Sequence, residues 1–523
     1  MQYLIHHLLK CTAEHFPEKE ALIHGSHRMT YSQVDQAVSA LAQGMRAAGL
    51  KRGERLGILL EPSIPQALAI LAAARANAVF VPINHLLYPE QVAHIMLDCG
   101  IKALLTTRTR LSELSPVFNR LSALTFLIGV GTGDFENPAL PVYSFEELRD
   151  AFETPPQDIS ISNDLAAILY TSGSTGKPKG AMLTHAQIMA GSSIVSTYLG
   201  ITDKDRLLAV LPFSFDAGLN QLMTAFQQGG TLVILQFTFA REIVQTMARE
   251  HITGVGGVPT LWTLLAQTHS TLHKTPLPQL RYITNTGGAM PQTVLASLRS
   301  ALPTTKIFLM YGLTEAFRST YLPPEELERR PTSMGKAIPN TEILVVNENG
   351  RSCQPGEVGE LVHRGPTVFL GYWGQPELTK KVLRPHPFLP PELGEGETVC
   401  YSGDLVKTDE DGFLYYVGRR DTMIKSSGYR ISPTEVEEAL FQSGEILGAA
   451  VIGVPDDVLG QHVKAFVVAK DNATRDTKRL LAFCAELIPH YMIPKLVEYL
   501  DELPKTTSGK VDYPALRRRA GLQ

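Results

Sequence analysis

Between Arg55 and Gly312 short apolar runs alternate with stretches in which apolar residues recur every three or four positions. The runs occupy residues 56–60, 79–83, 103–106, 166–170, 207–211, 232–235, 282–284 and 307–310. Continuous apolar runs of this length suit strands buried on both faces. Residues 66–76 and Gln292–Ala301 carry the helical period between them. Strand, helix, strand repetition predicts parallel sheets covered by helices, with ligands held at the carboxyl ends of the strands.

After Pro339 the pattern changes. Residues 342–346, 359–363 and 413–417 read as short strands, separated by the turns Asn347-Glu348-Asn349-Gly350, Pro355-Gly356-Glu357 and Asp409-Glu410-Asp411-Gly412. Such spacing predicts an antiparallel, barrel-like unit. A further helix begins at Ser432-Pro433-Thr434-Glu435, an N-cap, a first-turn proline and a capping-box glutamate, and Val436, Ala439 and Leu440 form its apolar face. The expected organisation is a large α/β N-terminal domain over residues 1–420, with a β-rich part at about 340–420. A small, mobile α+β C-terminal domain is expected over 421–523. The first sixteen residues read as an amphipathic helix, lacking the apolar stretch of a signal peptide.

Composition narrows the function classes. A net charge of -4 on 523 residues offers no broad basic surface, which argues against nucleic acid as a partner. The Arg517-Arg518-Arg519 run reads as a solvated helix face. The five cysteines are dispersed without a CxxC pair, so neither a zinc site nor a disulfide framework is expected. No apolar stretch has the length of a membrane span. A cytoplasmic protein is the expectation.

The most specific local pattern is Tyr170-Thr171-Ser172-Gly173-Ser174-Thr175-Gly176-Lys177-Pro178-Lys179-Gly180. Its small residues leave N–H groups and hydroxyls free to converge on phosphate oxygens, and its lysines add charge. Pro178 stands where a P-loop requires Ser or Thr, so this is a phosphate loop of another kind. It is expected to lead from a strand towards a helix capped by Thr184 and Gln187.

At this loop the chain resembles the adenylate-forming superfamily: acyl-CoA synthetases, peptide-synthetase adenylation domains and beetle luciferases. The resemblance extends over nearly the whole chain, because the other motifs follow in the family's order. It implies that Tyr311-Gly312-Leu313-Thr314-Glu315 holds ATP, with Tyr311 on adenine, Thr314 at phosphate and Glu315 on Mg²⁺. Read alone, Thr314-Glu315 is equally a helix cap. Asn285-Thr286-Gly287-Gly288-Ala289 is similar to the adenine element, and Asp404 of Tyr401-Ser402-Gly403-Asp404 to the aspartate on the ribose hydroxyls. Gly418-Arg419-Arg420-Asp421 resembles the hinge, with Arg419 near the ribose and Asp421 as the pivot. Lys425, Ser427, Gly428 and Tyr429 would line the tunnel for the thiol. Lys510, in Pro504-Lys505-Thr506-Thr507-Ser508-Gly509-Lys510, would bridge the substrate carboxylate and the α-phosphate, acting with Thr171 and Glu315.

The implied reaction is activation of a carboxylic acid by ATP, then transfer of the acyl group to coenzyme A or to the phosphopantetheine of a carrier protein. The chain ends shortly after Lys510, so a carrier is expected to be a separate protein. Phe213-Ser214-Phe215-Asp216-Ala217-Gly218 has the Phe-Asp half of the Phe-Asp-x-Ser element of adenylation domains, with glycine in place of serine. Asp216 therefore suggests an amino acid or another amine-bearing acid; the alternative is a helix cap. By the same resemblance Asp216, Ala217, Asn220, Thr284, Thr286, Met310, Arg318 and Ser319 line the acyl pocket, a polar set that disfavours a long alkyl chain. Arg318 is expected to pair with Asp216 or with an anionic substrate group. Exosortase-associated acyl-CoA ligases are the nearest resemblance, then stand-alone ligases loading prolyl or other aminoacyl groups on carrier proteins. Nothing marks a luciferin pocket, and an inactive relative would be expected to lose Lys510, Glu315 or Asp404.

Overall fold

The computed structural model describes the chain except Met1, residues 132–138, 152–153, 173–177 and 395–396, Asp421, residues 427–428, 457–458, 471–472 and 507–508, and Gln523. All eight apolar runs are strands, their ends moved by up to three residues. They fall into two sheets. One has nine strands, in the order Lys336–Ala337, Ala316–Leu322, Lys306–Leu313, Tyr282–Asn285, Gly254–Gly257, Arg206–Ala209, Thr231–Ile234, Glu20–His24 and His27–Thr30. Its central strands are parallel and its margins antiparallel. The other has eight strands and is parallel from Leu165–Ser172 through Val79–Pro82, Arg55–Leu59, Ala103–Thr107 and Phe126–Val130 to Val142–Ser144. One apolar core reaches both sheets through Phe80, Leu169, Ile188, Phe226, Phe308 and Phe317.

Two local results depart from the sequence pattern. Between the phosphate loop and the helix His185–Leu199 lies a further strand, Pro178–Thr184, paired antiparallel with Leu165–Ser172. Its proline and glycine hide it from a propensity reading. Gly180 is there because a Cβ would lie 2.6 Å from Ile168 and 3.0 Å from the Tyr170 ring. The Thr184–Gln187 capping box is present as expected. In the N-terminal helix Ile5–His15 the polar His6 and His7 are buried, each bonded through Nε2 to one oxygen of Asp158, at 2.7 and 3.0 Å.

The antiparallel unit is a five-stranded sheet of Glu342–Val346, Gly359–Arg364, Leu383–Pro385, Thr398–Thr408 and Leu414–Arg419. A last five-stranded sheet, Ile424–Ser426, Tyr429–Ile431, Ile446–Asp456, Gly460–Ala469 and Leu496–Tyr499, packs with helices Pro433–Gln442 and Thr477–Leu487. Ser432 caps the first of these helices, its hydroxyl accepting from Glu435 N. Among the described residues no helix is long and apolar enough to cross a membrane.

Candidate active site

The carboxyl ends of Leu165–Ser172, Arg206–Ala209, Tyr282–Asn285 and Lys306–Leu313 open onto one cleft of about 2840 Å³, which Leu503, Lys505, Thr506, Gly509, Lys510 and Tyr513 also line. That exceeds the few hundred to roughly 1,000 Å³ of a single-ligand pocket and suits two substrates between two bodies. Thr171, Lys179, Asp216, Gly287, Gly288, Ala289, Met310, Tyr311, Gly312, Thr314, Glu315, Asp404, Arg419 and Lys510 all line it. Gly173, Ser174, Thr175, Gly176 and Lys177 lie outside the described residues, as does the Ser172 side chain, but the register Thr171↔Lys179 brings both ends of their loop to the cleft.

Lys510 reaches this site from the C-terminal end of the chain. Its loop closes on itself: Thr506 N donates to Lys510 O at 2.7 Å, and Gly509, at φ +80°, donates to Thr506 O at 2.9 Å. The ammonium stands 5.5 Å from the Phe215 ring centroid. A Cβ on Gly287, itself at φ +80°, would lie 3.4 Å from Lys510 Cε. Glycine thus fits the turn and leaves room for the lysine.

A second group surrounds Tyr311. Its hydroxyl donates to Asp404 Oδ2, and its ring lies nearly parallel to that of His363, with centroids 6.1 Å apart. Burial, together with the Asp404 carboxylate, pushes the Tyr311 phenol well above its ordinary value. Burial alone drives His363 down to about 3, so it is a neutral platform. Asp404 is paired in register with Arg419, whose Nε is 3.7 Å from Oδ1. Gly403, at φ +76°, turns the chain so that Asp404 N donates to Ser402 Oγ at 3.0 Å.

Thr314 and Glu315 lie in the hairpin between Lys306–Leu313 and Ala316–Leu322, which excludes the helix-cap reading. Glu315 accepts the Tyr372 hydroxyl on Oε1. Burial, then the Glu315 charge, raises the Tyr372 phenol. Lys179 Nζ sits 5.8 Å from the same ring. Tyr372 and His363 carried no sequence signal, since sheet pairing alone brings them in: Tyr372 pairs with Ala181, and His363 lies on Gly359–Arg364.

The acyl pocket is only partly as expected. Asp216 and Met310 face the cleft, whereas Ala217, Asn220, Thr284, Thr286, Arg318 and Ser319 are buried and lie outside its lining. Asp216 opens the helix Asp216–Gln228, and its Oδ1 accepts from Ala217 N at 2.8 Å. The helix-cap alternative is not formed: Phe215 is the N-cap, without a side-chain cap bond, and Asp216 is the first residue of the helix. Gly218 replaces serine for a steric reason: a Cβ would meet Pro212 O at 2.2 Å and Leu211 O at 2.7 Å. The expected Arg318–Asp216 ion pair is not formed; Arg318 Nη1 instead donates to Thr286 Oγ1 at 3.4 Å. Of the thiol-tunnel residues, Lys425 and Tyr429 belong to the paired strands Ile424–Ser426 and Tyr429–Ile431, and their side chains lie outside the described residues. Ser427, Gly428 and the pivot Asp421 lie outside the described residues. The arrangement sets the cations Lys179 and Lys510 and the carboxylates Glu315 and Asp404 around one cleft, a lining that can meet anionic and hydroxyl groups of one ligand.

A family model described as AMP-binding enzyme matches residues 9–373, and one for the AMP-binding enzyme C-terminal domain matches residues 435–510. The chain is 32% identical over 510 residues to the feruloyl-CoA synthase of an Amycolatopsis species, spanning 97% of this chain and 96% of that protein. It is 31% identical to tyrocidine synthase 1 of Brevibacillus parabrevis, across 98% of this chain and 44% of that one. The solved structure of an anthranilate CoA ligase in complex with anthranoyl-AMP superposes with a TM-score of 0.90 at 26% identity, covering 99% of this chain and 97% of the other.

Proposed function

The chain belongs to the AMP-binding enzyme family, and from that premise we propose how its residues divide the work of an AMP-forming acid–thiol ligase. Such an enzyme activates a carboxylic acid with ATP as the acyl-adenylate, releases pyrophosphate and passes the acyl group to a thiol. The observation that carries the assignment of roles is the meeting of Lys510 with Gly287, Thr171 and Lys179 around one cleft.

Tyr311 and the Gly287–Gly288–Ala289 turn hold the adenine, and Asp404 with Arg419 holds the ribose. Thr171, Lys179 and the loop between them hold the triphosphate, with Thr314. The acid's carboxylate oxygen attacks the α-phosphorus, the new C–O–P bond forms and the bond to pyrophosphate breaks. Lys510 neutralises charge on both reacting groups; positioning and electrostatics do the rest. Glu315 would hold Mg²⁺ beside the phosphates of bound ATP, because it lines the cleft and the Tyr372 hydroxyl engages its Oε1. The ion, when bound, would offset phosphate charge.

The domain boundary lies at 420/421, with Asp421 as the pivot. The C-terminal unit turns there to withdraw Lys510 and bring Lys425, Ser427, Gly428 and Tyr429 to the thiol. Coenzyme A is the acceptor, as in the feruloyl-CoA synthase that the chain resembles; the phosphopantetheine of a separate carrier protein is the second reading. Asp216 places an amine-bearing acid, such as proline or another amino acid, among the substrates, since its second oxygen carries no hydrogen bond among the described residues and it faces the cleft. The site of action is the cytoplasm, a reading that rests on the dispersed, free cysteines. Pyrophosphate release across a panel of amino acids and short acids tests the substrate reading. Amino acids are expected to outperform their des-amino partners, and inert amino acids beside active fatty acids would refute the role of Asp216.

A further inference from the structure

Arg318 is 4% exposed, and among the described residues it makes no ion pair. Its guanidinium has one long contact, the 3.4 Å bond to Thr286 Oγ1, and Nε is buried without a partner. Asn220, 2% exposed, buries its Nδ2 donor unpartnered as well. Both lie near the helix His185–Leu199. A Cβ on Gly191 would come within 3.6 Å of Asn220 Nδ2, and the Arg318 charge acts on the Tyr198 phenol. An isolated buried cation and an idle buried donor are costly unless something else satisfies them. They sit just behind the cleft wall: the neighbours of Thr286, Asn285 and Gly287, line the cleft, and so does Gly312, where a Cβ would be 3.2 Å from Arg318 Cα.

We propose that Arg318 determines specificity by accepting acids that carry a second anionic group, a carboxylate remote from the one that is activated. That group replaces the weak Thr286 contact with a charge-assisted, bidentate one, and Asn220 Nδ2 supplies a further donor. The inference rests on the acid–thiol ligase reading but is independent of the amine role of Asp216.

ATP–pyrophosphate exchange with the full chain tests it on matched acids: pentanoate against glutarate, norvaline against glutamate, and benzoate against isophthalate. In at least one pair the diacid is expected to exceed its monoacid in kcat/KM by roughly 10- to 100-fold. Arg318→Met should abolish that ratio, and Arg318→Lys should retain part of it. Each ratio is taken within one protein, so a loss of folded enzyme cancels. An advantage of norvaline over pentanoate reports on Asp216 instead, and pyrophosphate release that ignores every acid would contradict the ligase reading. Monoacids equal to or better than diacids in all three pairs, exchange with none of the diacids, or a preference unchanged in Arg318→Met overturns the inference.

Discussion

Lys510 has no carboxylate partner among the described residues and faces the Phe215 ring across the cleft. Its charge is therefore available to a ligand. Lys510→Ala is expected to slow adenylate formation by about 10²- to 10³-fold, the usual effect of removing one preorganised electrostatic partner, as measured by single-turnover kinetics. Tyr311 presents a different case, because its hydroxyl is already bonded to Asp404. Tyr311→Phe should raise the KM for ATP by roughly 2- to 10-fold with little change in kcat, and initial-rate kinetics will show whether it does. At this scale the sequence was informative where a residue type sits in an ordered motif, as with Asp404, Glu315 and Lys510. It was silent on Tyr372 and His363, which pairings between distant segments bring to the site. Of the two partners it offered for Arg318, Asp216 is not paired with it in the structure, since charge complementarity in sequence carries no distance.

Individual elements were read from two signals of unequal strength. Apolar runs located the parallel strands, and capping chemistry located the helices at Thr184 and Ser432. The strand Pro178–Thr184 was invisible because its glycine is dictated by the close approach of Ile168 and Tyr170, not by its own propensity. Gly180→Ala should therefore cost about 1–3 kcal/mol through overpacking, and thermal unfolding should show a lowered Tm. In the helix Pro433–Gln442, burial pushes Glu437 up to about 7, against Tyr513 OH and Val451 N, which donate to its Oε1. The folded value lies above the ordinary 4.5, so the folded state holds a proton that the unfolded chain releases. Stability from this site is full below about 4.5, falls as pH rises towards about 7 and is level above it. Calorimetry should find that Glu437→Gln gains Tm relative to the parent as pH rises through that window, with no change in the difference above it.

For the whole molecule, periodicity was enough to place parallel α/β sheets before an antiparallel unit and a small α+β unit, and the motif residues Thr171, Gly287, Tyr311 and Asp404 do meet at one cleft. How the C-terminal residues come to line the cleft was not legible, because that depends on packing between surfaces with no local signature. The structure has Lys510 at the cleft, among the residues that line it. In the proposed reaction Lys510 serves the first half-reaction alone. The direct test is thioester formation by Lys510→Ala from a preformed acyl-adenylate, beside its adenylation rate from ATP and acid. Near-parental thioester formation with adenylation reduced about 10²-fold or more is expected. Equal loss in both steps would contradict a lysine that serves one step and then leaves.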